Sequence, residues 1–152
     1  MEQRLLTLPQ ERALTSSLKI FEAALRKTNR LLDDGDEKGV FVNRRSSINV
    51  QQRRKIQEMI SKTLQDLEKF ATELDLQSTE ENVEGMIMAE MSICWESLEE
   101  SRPKRLKGYG EINPQAIKMI DDAITNFAQV ALKISQLVAS AQDRYDNQMI
   151  LE

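Results

Sequence analysis

The sequence predicts an all-α fold, an antiparallel up-down-up-down four-helix bundle with a long fourth helix, and three observations carry that prediction. Five glycines and three prolines in 152 residues leave little material for a turn-rich β fold. Four segments repeat apolar residues at alternating steps of four and three, which stacks them on one helical face. Capping and stop signals bracket these segments.

The first helix is predicted over 8–32. Thr7 and Gln10 have capping-box spacing, and Pro9 lies in the first turn. Leu14, Leu18, Phe21, Leu25, Thr28 and Leu32 then form a face that requires burial. Asp33-Asp34-Gly35-Asp36-Glu37 ends the helix. The connector that follows, through Gly39-Val40-Phe41-Val42 to Arg44-Arg45-Ser46-Ser47, is long for a bundle loop.

From about Asn49 the second helix repeats the rhythm with Ile56, Ile60, Thr63, Leu67, Phe70 and Leu74. Ser78 and Glu81 give a second capping-box spacing, so Asp75-Leu76-Gln77 reads as a short turn into an antiparallel third helix. That helix has a central stripe of Val83, Ile87, Met91, Cys94 and Leu98, widened by Met86, Met88, Ile93 and Trp95. So broad an apolar arc either sits deep in the bundle or meets a partner. Cys94, the single cysteine, reads as a small buried hydrophobe.

Arg102-Pro103 stops the third helix, and Asn113-Pro114 is the clearest start signal in the chain. The stripe of the fourth runs Ile117, Ile120, Ile124, Phe127, Ala131, Ile134, Val138, Ala141 and Tyr145. Without internal glycine or proline it reaches about 37 residues, ~55 Å, against ~35 to 40 Å for the others. Its overhang, with Tyr145, Met149, Ile150 and Leu151, needs cover from Leu5 and Leu6 or from a second subunit. No repeat or linker divides the chain, and residues 1–152 read as a single domain.

Composition excludes much chemistry. There is no histidine, which removes the usual general base, proton shuttle and metal ligand together. Ser-His-Asp and Cys-His catalysis, histidine zinc sites and the Glu-x-x-His pairs of di-iron bundles go with it. The acidic run DDGDEKG lacks the ligand spacing of an EF-hand loop. No catalytic residue, metal ligand or cofactor is expected. A net charge of −4 provides no global attraction for nucleic acid or anionic membrane. The lone cysteine, the charged N-terminal segment and the lack of a spanning apolar stretch point to a cytoplasmic protein with no membrane partner.

Up-down-up-down order brings loops 33–48 and 102–113 to one end of the bundle. Arg102, Lys104, Arg105 and Lys107 place four positive charges in six residues, beside Leu106 and Tyr109. They form a candidate partner-binding or anion site, with Tyr109 as its anchoring ring. The competing structural reading pairs these bases with Asp33, Asp34, Asp36 and Glu37, while Leu106 and Tyr109 cover Val40, Phe41 and Val42. Arg44-Arg45-Ser46-Ser47 has the composition of a basophilic kinase site, against a simple role for either serine in capping.

Glu90 projects into the apolar arc of the third helix and is a candidate buried polar group, with Thr63, Thr125 or Asn126 at matching height. Met88, Trp95, Tyr145 and Met149 are candidate oligomer contacts. The leading expectation is therefore a non-enzymatic interaction or scaffold module, self-associating and bound to a protein partner. One alternative is nucleic-acid or phosphate-ligand binding through 102–109. Another is a small-ligand bundle or enzyme using Glu90.

Overall fold

The computed structural model describes residues 4–150, and among them the chain is mostly helical. The expectation for Leu151 lies outside the described residues. The chain divides into two compact units, Met1–Ser78 and Thr79–Glu152.

In the first unit, α1 spans Leu8–Asp34 and α2 spans Val50–Glu73. Both begin with a complete capping box. The Thr7 hydroxyl accepts the Gln10 N–H while the Gln10 side chain accepts the Thr7 N–H, and Asn49 and Gln52 repeat the exchange. The helix α1 runs two residues past its predicted end and closes at Gly35, whose φ of 58° suits glycine. α2 closes in a Schellman motif around Asp75 (φ 52°), with Leu76 N–H donating to Ala71 O and Asp75 N–H to Thr72 O.

The connector between them is not an irregular loop. It folds into an antiparallel hairpin of β1 (Glu37–Lys38) and β2 (Asn43–Arg44), pairing Glu37 with Arg44 and Lys38 with Asn43. α1 packs on α2, and Gln57 Nε2 donates to Asp33 Oδ1 at 2.7 Å across the pair. Within three residues of that bond lie Leu32 and Ile60, the buried apolar residues of the unit among those described.

The second unit contains α3 (Val83–Glu99), the short α4 (Pro103–Leu106), a 3-10 turn at Lys107–Tyr109 and α5 (Pro114–Ile150). α3 starts at Asn82, whose Oδ1 accepts the Gly85 N–H at 2.7 Å, and not at the predicted Ser78. Asparagine caps as well as serine does. α5 has the predicted start and 37 residues; Asn113 Oδ1 accepts the Gln115 N–H.

The packing of α3 on α5 is the most extensive in the chain. The predicted stripe of α5 holds at Ala131 and is corrected by one position at Phe127 and Ile134. Ala128 and Ala131 are buried and Ser135 is half-buried, whereas Phe127 and Ile134 are exposed. A straight helix drifts by about 20° per heptad against a strict seven-residue repeat, so a contact face of this length moves off the ideal stripe. The small residues also permit closer approach than phenylalanine or isoleucine would.

Candidate interaction surfaces

The hairpin in the first unit presents apolar side chains at its tip. Gly39 N–H donates to Val42 O at 3.1 Å, and Val40 and Phe41 form the turn, with Phe41 97% exposed. The tip is held rather than loose. Arg44 Nη1 reaches Glu37 Oε2 at 3.3 Å, and Ser46 N–H donates to Asp36 Oδ1 at 2.8 Å. Ser46 Oγ in turn accepts the Ile48 N–H, a turn ahead of the helix; the cap of α2 expected of this serine pair is supplied by Asn49.

Gly39 is required at its position, because a Cβ there would collide with the Val42 carbonyl oxygen. Gly39→Ala is expected to open the hairpin while leaving helix content unchanged. NMR contacts between Glu37 and Arg44 and the far-ultraviolet circular dichroism spectrum test this.

In the second unit Arg102 is a structural clasp. Its Nε and Nη2 donate to Glu99 Oε2 and Oε1 at 3.1 and 2.9 Å. Its Nη1 donates to Asp121 Oδ1 at 3.0 Å and Thr125 Oγ1 at 2.6 Å. The end of α3 is thereby tied to the third and fourth turns of α5. Arg105 pairs more loosely with Glu100 at 3.8 Å.

The charged groups of the two connectors have local partners within their own units. Asp33 accepts Gln57, Asp36 accepts Ser46 N–H and Glu37 meets Arg44. Lys104 and Lys107 are exposed, and Tyr109 is 94% exposed.

The hydrogen bonds from Arg102 hold the Glu99 carboxyl below its ordinary value of 4.5 and raise the guanidinium further above its own. A carboxylate with a depressed folded value stabilises the fold at pH above its unfolded value, and that contribution is lost as pH falls through the folded value. The melting temperature is therefore expected to fall on acidification below about pH 4.5, the ordinary carboxylate value. Arg102→Ala is expected to lower the melting temperature at pH 7 and to flatten that acid limb, whereas Arg105→Ala leaves both nearly unchanged.

Other predicted residues occupy different surroundings from those expected. Glu90, expected in the core, is exposed, because the contact face of α3 passes through Ile87, Met91 and Leu98 and leaves position 90 outside it. Cys94 is likewise exposed. Of the candidate oligomer contacts, Met88 is half-buried, and Trp95, Tyr145 and Met149 are exposed. The hairpin tip was missed as a presented element; its signal was the Gly39-led apolar triplet between charged strands.

Among the described residues the buried apolar side chains are Leu32, Ile60, Ala128 and Ala131, together with Pro103. The chain exposes 13427 Å². Two separate globules of half its mass would expose roughly 9,500 Å² by the usual scaling of surface with mass. Large apolar side chains are exposed on helices of both units: Phe21 and Phe70 in the first, and Val83, Trp95, Phe127 and Leu137 in the second.

No helix is long and apolar enough, among the described residues, to cross a membrane. The fold and these surfaces define an all-α protein with incompletely covered helix faces. The chain matches no protein-family model, no curated protein and no solved structure.

Proposed function

We propose that this chain is a non-enzymatic protein–protein interaction module that self-associates, with consecutive long helices running up and down and an antiparallel four-helix cross-section completed between copies. The observation that carries this reading is the uncovered apolar surface. Helices with one apolar face reach a stable state only when that face is sealed against another element. Here each unit seals only a short part of its faces, with two buried apolar residues in α1 and α2 and two in α5.

The excess over two compact globules is about 4,000 Å² per chain by the same scaling, polar and apolar together, more than the share of each chain in the roughly 2,000 to 5,000 Å² that an obligate homodimer buries in total. A protein with this function needs no catalytic group, and its surface is its working part. The basic connector gives weaker support to nucleic-acid binding, since Arg102 and Arg105 are engaged by Glu99, Asp121 and Glu100.

Light scattering on the eluting protein, over a hundredfold range of concentration, tests self-association. The expected result is a mass at least twice that of one chain over most of the range. A single-chain mass throughout overturns the reading.

A further inference from the structure

The segment between the hairpin and α2 reads Arg44-Arg45-Ser46-Ser47-Ile48, with arginines two and three residues before Ser47 and an apolar residue directly after it. An enzyme that reads such a segment holds the guanidinium groups on carboxylates of an acidic cleft and lays the chain out extended, so that the acceptor hydroxyl meets the phosphoryl donor. A sequence pattern does not show whether the chain is free to be laid out in this way. Here it is. β2 ends at Arg44, α2 begins at Val50, and residues 45–49 belong to no helix or strand. Every residue from Arg44 to Ile48 is exposed. Asn49 supplies the cap of α2, so neither serine is held by that role.

The two serines are not equivalent. Ser46 is tied twice, its N–H donating to Asp36 Oδ1 at 2.8 Å and its Oγ accepting the Ile48 N–H at 3.2 Å. The Ser47 hydroxyl makes no hydrogen bond among the described residues. Arg45 enters no ion pair there, and Arg44 has only its exposed contact with Glu37 at 3.3 Å, of a kind that is worth little and easily exchanged. Other hydroxyls also follow a base at this distance, Thr28 after Arg26 and Thr72 after Lys69. Both lie in helices, where their Oγ1 atoms donate to Ala24 O at 2.8 Å and Glu68 O at 2.9 Å. Laying either out requires unwinding α1 or α2; Ser47 needs no such opening.

We propose that Ser47 is a phosphorylation site for an arginine-directed serine kinase. Ser47 Oγ attacks the γ-phosphorus of ATP. The new O–P bond forms as the bond from that phosphorus to the β–γ bridging oxygen breaks, ADP leaves with the electron pair, and the hydroxyl proton passes to a carboxylate of the kinase. The phosphate then stands two residues ahead of the N-cap of a 24-residue helix. Arg45 on one side, and Arg53 and Arg54 at the start of α2, are exposed and without ion pairs among the described residues. Free guanidinium groups and the helix macrodipole both favour negative charge at this point of the chain.

The test incubates the full chain with the catalytic subunit of cyclic-AMP-dependent protein kinase and ATP, and locates the phosphate by mass spectrometry of peptides. A single phosphate on Ser47 is the expected result. Ser47→Ala abolishes transfer, and Ser46→Ala leaves it in place. Arg45→Gln lowers kcat/KM about tenfold or more, the loss of one charge-assisted contact to the kinase. All three positions are exposed, so helix content is expected to stay unchanged in each variant. Protein isolated from its own cells with phosphatases inhibited is expected to carry phosphate on Ser47. Transfer to Ser46 or to a helix hydroxyl, no transfer to the native chain, or isolated protein without phosphate on Ser47 overturns the inference.

Discussion

Ala131→Asp is expected to separate α3 from α5, with a loss of about 3 kcal/mol or more in the stability of the second unit. Ala131 is 5% exposed, and with Ala128 it forms the small-residue stretch where α5 is covered. A carboxylate there is desolvated, and the cations described around α3 and α5 do not replace the lost solvent: Arg102 is already engaged by Glu99 and Asp121. The neighbouring Leu132→Asp makes the same chemical change at a position 52% exposed, where the expected effect is about 0.5 kcal/mol or less. Urea denaturation of the two variants beside the parent measures the difference. Equal effects would mean that α5 is not packed through Ala128 and Ala131.

The second large effect is expected at Ile60. Ile60→Ala removes three carbon atoms from a residue 4% exposed, in a unit whose other buried apolar residue is Leu32. Large-to-small substitutions of this kind cost about 2 to 5 kcal/mol, depending on how far the site collapses. α1 and α2 are expected to remain helical, since their capping boxes are local, but to lose their mutual packing. Hydrogen exchange of α2 amides should therefore accelerate far more than ellipticity falls. Phe41→Ala, at a fully exposed tip, is expected to change stability by less than about 0.5 kcal/mol. A large effect at Phe41 with none at Ile60 would reverse the assignment of core and surface in this unit.

Much of the fold was legible before any coordinate. The Thr7–Gln10 box, the Asn49 start and the Asn113–Pro114 start are local devices: a side chain three residues away satisfies a backbone N–H, and no distant group is involved. The start of α3 was misplaced for an equally local reason. Ser78 and Asn82 both offer caps within a few residues, and propensity does not choose between them. The hairpin was hidden because four paired residues carry too little periodicity to read, and Gly39 looked like an ordinary loop glycine.

The candidate sites were less legible. Arg102 was grouped with the other bases of its connector, whereas it bonds Glu99 three residues before it and Asp121 and Thr125, 19 and 23 residues after it, which no local spacing announces. Glu90 read as buried because the apolar arc of α3 is broad, and a broad arc does not state which part a neighbour covers. The same ambiguity moved the contact face of α5 from Phe127 to Ala128. In each case several faces of one helix are nearly equal in hydrophobicity, and the choice is made by the shape of the helix opposite.

The sequence by itself thus determined that this protein is helical, where three of its four long helices begin, and that α5 runs for 37 residues. Those properties arise from interactions within a turn or two of chain. Only the tertiary structure decided that Arg102 clasps α3 to α5, that Val40–Phe41–Val42 stands on a hairpin, and that α1 and α2 bury each other's apolar faces most fully at Leu32 and Ile60. Burial depends on what approaches a face from elsewhere in the chain, and a hydrophobic pattern records the need for cover without recording its source.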